Sequence, residues 1–178
     1  MITRHKHIYN IWKRCVKDLA ILSAVIAVYI YIATTIAGIC IKRKIYNWED
    51  EASTCYSAIH MPCEAAPSFA LISAVFILQA FAVIFVMGLI MLAVWWITDK
   101  KWAGYLAAMV IVSVEYYDAD GAISTGLLWR KYVMTYSVYK KGILLGKNIL
   151  MPIAVCIAML LVTSLIVRLK KKEFINSR

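Results

Sequence analysis

Cys55 and Cys63 are the side chains of this 178-residue chain that come closest to reactive chemistry. Seven residues separate them, so a disulfide would close a short ring and stabilise it by about 2 to 3 kcal/mol on the chain-entropy estimate. Redox-active pairs usually have the Cys-x-x-Cys spacing, which is absent here. We therefore expect a structural disulfide between Cys55 and Cys63. Two free thiols, or a pairing with Cys40, are the alternatives.

A second short motif could in principle hold a metal ion. Asp118, Asp120 and Gly121 resemble part of a calcium-binding loop, because alternating carboxylates before a turn glycine can wrap a hard cation. Tyr116 and Leu127, however, stand where the first and last ligands of such a loop belong. We expect an acidic turn at this place, with no metal ion and no other cofactor.

The sequence lacks the motifs of the common catalytic classes, so we expect that the protein is not an enzyme. A zinc-protease HExxH, a glycine-rich phosphate loop and a serine nucleophile elbow are all missing. The long apolar runs contain no Asp, Glu, Lys or Arg, although ion-coupled transporters usually need such a group at membrane depth. Gln79 is the only amide of the longest run. We expect it to bond between helices; lining a functional site is the alternative.

The elements that must position these residues are long apolar segments. Hydrophobic residues make up 63% of the chain, well above the average for a soluble domain. A bilayer core of ~30 Å needs about 20 residues of helix, so each long run is typical of a membrane span. We predict an all-α integral membrane protein, a bundle forming a single domain over residues 1–178. The predicted spans are 19–41, 69–97, 102–117 and 149–167, and the external segments are 42–68 and 118–148.

The basic residues indicate which helix ends face the cytoplasm. Lys and Arg cluster beside the apolar runs, and positive charge next to a span is typically cytoplasmic. Residues 1–18, 100–101 and 168–172 are then on the inner side, and both termini are cytoplasmic. The segment 102–117 is the weakest span because only thirteen apolar residues precede Glu115. Four transmembrane helices are therefore predicted; three, with 102–117 as a buried or re-entrant element, are the alternative.

The external segment 118–148 interleaves aromatic and basic side chains. This pattern suits a helix in the membrane interface or a surface that docks a partner. The candidate partner-facing residues are Trp129, Arg130, Tyr132 and Tyr136. A net charge of +10 is also found in nucleic-acid-binding proteins. Because these charges flank the spans, we expect contact with lipid headgroups and no binding of nucleic acid.

In size and topology the chain is similar to immunity proteins against pore-forming bacteriocins and to plasmid or phage exclusion proteins. It also resembles the quinone-linked thiol oxidases of bacterial inner membranes, although the CxxC of that family is absent. We expect a protein that binds another integral membrane protein or forms a homo-oligomer, of the immunity, exclusion, secretion-accessory or conjugation-accessory kind. A thiol-disulfide oxidoreductase and an oligomeric, holin-like pore are the alternatives. The external segments contain no Asn-x-Ser/Thr acceptor, which favours a bacterial inner membrane.

Overall fold

The fold is an all-α membrane bundle, as the sequence predicts. A computed structural model describes residues 8–43, 69–117 and 146–176. Only Arg43, Asp99 and Lys100 of these described residues lie outside a helix. The four helices are α1 (Ile8–Lys42), α2 (Phe69–Thr98), α3 (Lys101–Tyr117) and α4 (Gly146–Asn176).

Three of the helices, α1, α2 and α4, are long and apolar enough to cross a membrane, so the protein is a multi-pass membrane protein. The 17 residues of α3 span about 25 Å at a rise of ~1.5 Å per residue, slightly less than a hydrocarbon core of ~30 Å. It is one uninterrupted helix, and several of its apolar side chains, such as Met109, are exposed. Four full crossings, as opposed to three, stay a prediction.

The central helix of the bundle is α2, which packs against each of the other three. Within its most apolar stretch 39% of the residues are buried, compared with 11% in α1 and 17% in α4. Its buried side chains include Val75, Gln79, Phe85 and Leu89. Lipid tails are as apolar as most of these side chains, so close packing holds the helices together more than exclusion from water does.

A close backbone approach joins α2 to α3. The two helices are separated by Asp99 and Lys100 alone, so they run back along each other as a hairpin. A Cβ placed on Gly104 of α3 would lie 2.6 Å from the backbone oxygen of Met91 on α2. No other residue type fits at this distance without moving one helix.

A hydrogen-bonded pair joins α1 to α2. The Tyr31 hydroxyl donates to the Ser73 hydroxyl at 2.8 Å, and Ser73 donates to the carbonyl oxygen of Phe69 at 2.7 Å. The Tyr31 ring also contacts that of Phe76, with 6.1 Å between the ring centroids. A tyrosine in the middle of a span needs a hydrogen-bond partner, and Tyr31 has one in Ser73.

Two helices begin earlier than the sequence suggests. Residues 8–18 belong to α1, whose 35 residues extend about 52 Å, so the basic segment continues the span without a break. The helix α4 begins at Gly146, which places Pro152 in its second turn, although a first-turn position is expected from the sequence.

Candidate functional site

Most of the described charged side chains lie towards one end of the bundle, where α1 begins, α2 turns into α3 and α4 ends. An ion pair between Lys170 and Asp99 joins α4 to the α2–α3 turn, and a groove lined by Asp18 and Lys101 places the start of α1 beside it. We call this the basic end. Its described basic side chains are Lys13, Arg14, Lys17, Lys100, Lys101, Arg168 and Lys170. The structure thus brings together the three clusters that the sequence assigns to the inner side.

Lys170 links α4 to the end of α2 through an ion pair and a hydrogen bond. Its ammonium group lies 2.5 Å from Oδ1 of Asp99 and also donates a hydrogen bond to the carbonyl oxygen of Trp96. The Asp99 side chain is 80% exposed, so water screens the ion pair, and such pairs contribute roughly 0 to 1 kcal/mol. The bond to Trp96 satisfies one of the last carbonyls of α2, which have no partner within their own helix. Lys170 therefore fixes where α4 ends relative to the turn.

The turn between α2 and α3 depends on a left-handed residue. Asp99 has a φ of 58°, and its N–H donates to the carbonyl oxygen of Trp95 at 2.8 Å, which is the bond of an αL helix cap. The Thr98 hydroxyl donates to the carbonyl of Val94 at 2.8 Å and accepts the N–H of Lys100 at 3.3 Å. Asp adopts the left-handed region more readily than most residues, so the chain reverses within two residues.

We expect Asp99→Val to destabilise the protein more than Asp99→Asn. Asparagine tolerates positive φ and loses only the screened ion pair, whereas a β-branched residue is strained there by about 1 to 3 kcal/mol. Thermal unfolding in detergent micelles measures both variants, and Asp99→Gly serves as the control without strain. Equal midpoints for the valine and asparagine variants would contradict this account of the turn.

Lysines and tryptophans pair beside the turn. The Nζ atom of Lys101 lies 5.4 Å from the ring centroid of Trp95, and that of Lys100 lies 5.7 Å from the centroid of Trp102. Each such contact contributes about 0.5 to 1 kcal/mol at exposed sites. Indole rings at the ends of apolar helices prefer the membrane interface, and lysines there face headgroups. Contact of the basic end with lipid headgroups stays a prediction.

A groove of about 520 Å³ opens between α1, α2 and α3 beside this cluster. Its polar groups are Lys101 and Tyr105 of α3, which follow the α2–α3 turn, and Asp18 of α1, which precedes Leu19, the residue whose side chain packs against Gly88. Further along α2 the lining is apolar and includes Gly88 and Leu92. The volume falls within the ~300 to 1,000 Å³ range of small-molecule sites. The groove is therefore large enough to hold a small molecule.

Among the predicted site residues, Gln79 is placed by the structure inside the bundle. Its side chain is 2% exposed on α2, where it faces other helices and not lipid. The predicted disulfide and the predicted docking surface lie outside the described residues, so both stay predictions. They comprise Cys55, Cys63, Trp129, Arg130, Tyr132 and Tyr136. In the described segments, no group of three or more His, Cys, Asp or Glu side chains could hold a metal ion.

The groove and the Lys170 contact are features that the sequence reasoning missed. Topology and contact with lipid headgroups explain the basic residues at the helix ends, but they do not explain Asp18, the only acidic residue among the first 48. A single acid in a basic segment is the signal that could have drawn attention to this site. No family model matches the chain, and neither a curated protein nor a solved structure is significantly similar to it.

Proposed function

We propose that the protein works by binding another integral membrane protein, and that the outer face of α1 is part of the contact. The observation that supports this proposal is the environment of Tyr29. Its side chain is 70% exposed, and its hydroxyl forms no hydrogen bond with any other described residue. Tyr31, two positions along the same helix, has such a bond to Ser73.

The depth of Tyr29 makes its exposure costly. It lies ten residues, or about 15 Å, beyond the start of the predicted span at Leu19, and further from the other end at Ile41. A phenol cannot reach the headgroups from this depth. A hydroxyl without a hydrogen-bond partner in an apolar environment costs roughly 1 to 3 kcal/mol on the scale of protein mutations. A helix that offers an acceptor to Tyr29 would remove that cost.

The surroundings of Tyr29 permit a neighbouring helix to come close. Val25, Ala33 and Ile36 share its side of α1 by helical spacing, and all three are exposed. The buried residue Ala27 lies on the opposite side, towards the bundle. Ala33 is small, and small residues at a contact let helix backbones approach within the membrane.

The proposed partner is a protein of the bacterial inner membrane, and the proposed role is that of an immunity, exclusion, secretion-accessory or conjugation-accessory protein. In this arrangement the basic end faces the cytoplasm, where the positive-inside rule places it. The external segments then face outwards, with a Cys55–Cys63 disulfide and the aromatic surface around Trp129 available to the same partner. Contact with lipid headgroups accompanies this role, and nucleic acid is not part of it.

Crosslinking from α1 tests the proposal. A photoreactive residue in place of Ile36 should yield a product with a distinct membrane protein in native membranes, and Ala33→Leu should lower that yield about tenfold. The expected loss corresponds to the roughly 1 to 2 kcal/mol of a helix–helix contact in lipid. Tyr29→Phe should lower the yield by a smaller factor, because it removes only the hydroxyl.

The matched control is Ala158→Leu, which enlarges an exposed alanine in the predicted span of α4 and should leave the yield unchanged. A product containing only copies of this chain would replace the hetero-partner with a homo-oligomer. If Ala33→Leu and Ala158→Leu gave the same yield, the contact through α1 would be wrong. Solute transport or quinone turnover by the purified protein would overturn the proposed role itself.

A further inference from the structure

We infer that the partner contributes a membrane helix whose cytoplasmic end carries a lysine or arginine, and that this basic side chain pairs with the Asp18 carboxylate. The pairing rests on the proposed function, the contact through α1, and specifies the chemistry of the partner. It follows from the side of α1 on which Asp18 lies, from the missing counter-charge of its carboxylate, and from the basic residues around it.

Asp18 lies on the same side of α1 as Tyr29. Eleven positions separate the two residues, which is three helical turns and a rotation of only about 20°. Leu22 and Val25 lie between them on that side, and all four residues are exposed. A partner helix that packs on Tyr29 and follows α1 for about 16 Å towards the basic end therefore covers Asp18.

At Asp18, α1 belongs to the packed bundle. A Cβ on Gly88 of α2 would clash with the side chain of Leu19, the residue after Asp18, so the two helices are in close contact there. Trp12, nearly two turns before Asp18, is also buried. The helix is thus held in place on both sides of Asp18, and a partner helix can pack on it without first ordering a loop.

The described part of the chain supplies no counter-charge to Asp18. No ion pair joins its carboxylate to another described residue, including Arg14, which lies one turn earlier on the same side. The ammonium group of Lys101 lies over Trp95, 5.4 Å from the ring centroid. A carboxylate that a partner helix covers loses its water, and a buried charge without a partner is strongly unfavourable. A basic side chain on the partner removes that penalty.

The basic residues around Asp18 indicate why the partner's charge is positive. Membrane helices typically carry Lys and Arg at their cytoplasmic ends, so a partner helix brings positive charge to the level of the basic end. Lys13, Arg14 and Lys17 repel that charge. Asp18, as the only acidic residue among the first 48, is the group of this segment that attracts it. The ion pair thus permits contact between two basic helix ends.

Substitutions at Asp18, combined with crosslinking from Ile36 in native membranes, test the pairing. In the full-length protein Asp18→Asn should lower the yield of the hetero-product about fivefold, the factor that one partly exposed ion pair supplies. Asp18→Glu should retain most of the yield, and Asp18→Lys should lower it further. Because Asp18 has no ion-pair partner in the described chain, Asp18→Asn should leave the unfolding midpoint in detergent unchanged.

Arg14→Gln is the matched control, because it removes a charge of opposite sign from the same side of α1. It should not lower the yield. A loss as large as that of Asp18→Asn would indicate an acidic partner surface and overturn the pairing.

Charge reversal tests the basic residue of the partner directly. A photoreactive residue in place of Leu22, one turn from Asp18, should capture a partner peptide with Lys or Arg within one helical turn of the attachment point. Reversing that residue to Asp should lower the yield from Ile36, and Asp18→Lys should then restore it. A captured peptide without Lys or Arg there, or a yield that Asp18→Asn leaves unchanged, would overturn the pairing but not the contact through α1. Absence of any hetero-product from Ile36 would instead overturn the proposed function.

Discussion

Replacing Gly104 with alanine should force α3 away from α2 and lower the free energy of unfolding by about 1 to 3 kcal/mol, the usual cost of overpacking a close contact. The new methyl group would meet the backbone oxygen of Met91 at 2.6 Å. A flexible side chain could move aside, but a carbonyl in the middle of a helix cannot move without displacing the helix. Unfolding in mixed micelles with increasing dodecyl sulfate, followed by circular dichroism, measures the loss.

Gly38 provides the control for this substitution. A Cβ on Gly38 has no neighbouring atom within 4 Å among the described residues. Gly38→Ala should therefore cost nothing, and can gain up to about 1 kcal/mol because alanine favours the helix more than glycine does. If both alanine variants unfolded at the same detergent composition, the close packing of α2 against α3 would not matter for stability.

The second large effect is expected for Leu89→Ala. Leu89 is completely buried on α2, where the other helices surround it. In water-soluble proteins such a substitution costs about 2.7 to 5.0 kcal/mol, part of which is transfer from water and part the cavity left behind. In a bilayer the unfolded reference is also apolar, so mainly the cavity contributes. We expect a loss of about 1 to 3 kcal/mol in the same unfolding assay.

Leu161→Ala tests whether burial is the cause. Leu161 is 61% exposed on α4, so in a membrane lipid can fill the space left by a shorter side chain. Its replacement should change the stability by less than about 0.5 kcal/mol, as for other surface substitutions. A loss as large as that of Leu89→Ala would mean that this face of α4 is covered by a partner or a second copy.

The existence and approximate bounds of the helices could be predicted because the apolar runs are long and uncharged. The central position of α2 in the bundle could not be predicted from the sequence. Side chains that face lipid and side chains that face other helices are equally apolar, so the sequence of a membrane helix carries little information about which side is buried. Gln79 is the one amide in 69–97 and its side chain is buried, while its predicted bond between helices stays a prediction.

Tyr29 and Tyr31 also show that the sequence of a membrane helix does not reveal which of its sides is buried. Both lie in the middle of the first span, and both phenols need a hydrogen-bond partner. Residues two apart point to nearly opposite sides of a helix, so only one of them can face α2. The sequence does not distinguish them, whereas the structure assigns the internal bond to Tyr31 and leaves Tyr29 exposed.

The groove at the basic end could not be predicted because its residues come from three helices. Asp18 and Lys101 are far apart in the sequence and line one groove only because α1 and α3 both pack on α2. The positive-inside rule counts each charge by its place along the chain, so it explains Lys101 without requiring a binding role. Only the packed bundle shows that this lysine and an acid without an ion-pair partner among the described residues line the same groove.

The turn of two residues at Asp99 and Lys100 also bears on how the protein enters the membrane. A connection of two residues is too short for α2 to insert into the membrane while α3 stays in water. We therefore expect residues 69–117 to insert as one helical hairpin. The favourable insertion free energy of the hydrophobic helix α2 then drives insertion of α3 as well, whatever depth α3 finally reaches. A segment too short to be recognised as a span alone thus needs no insertion signal of its own, and lengthening this turn should make its insertion depend on its own sequence.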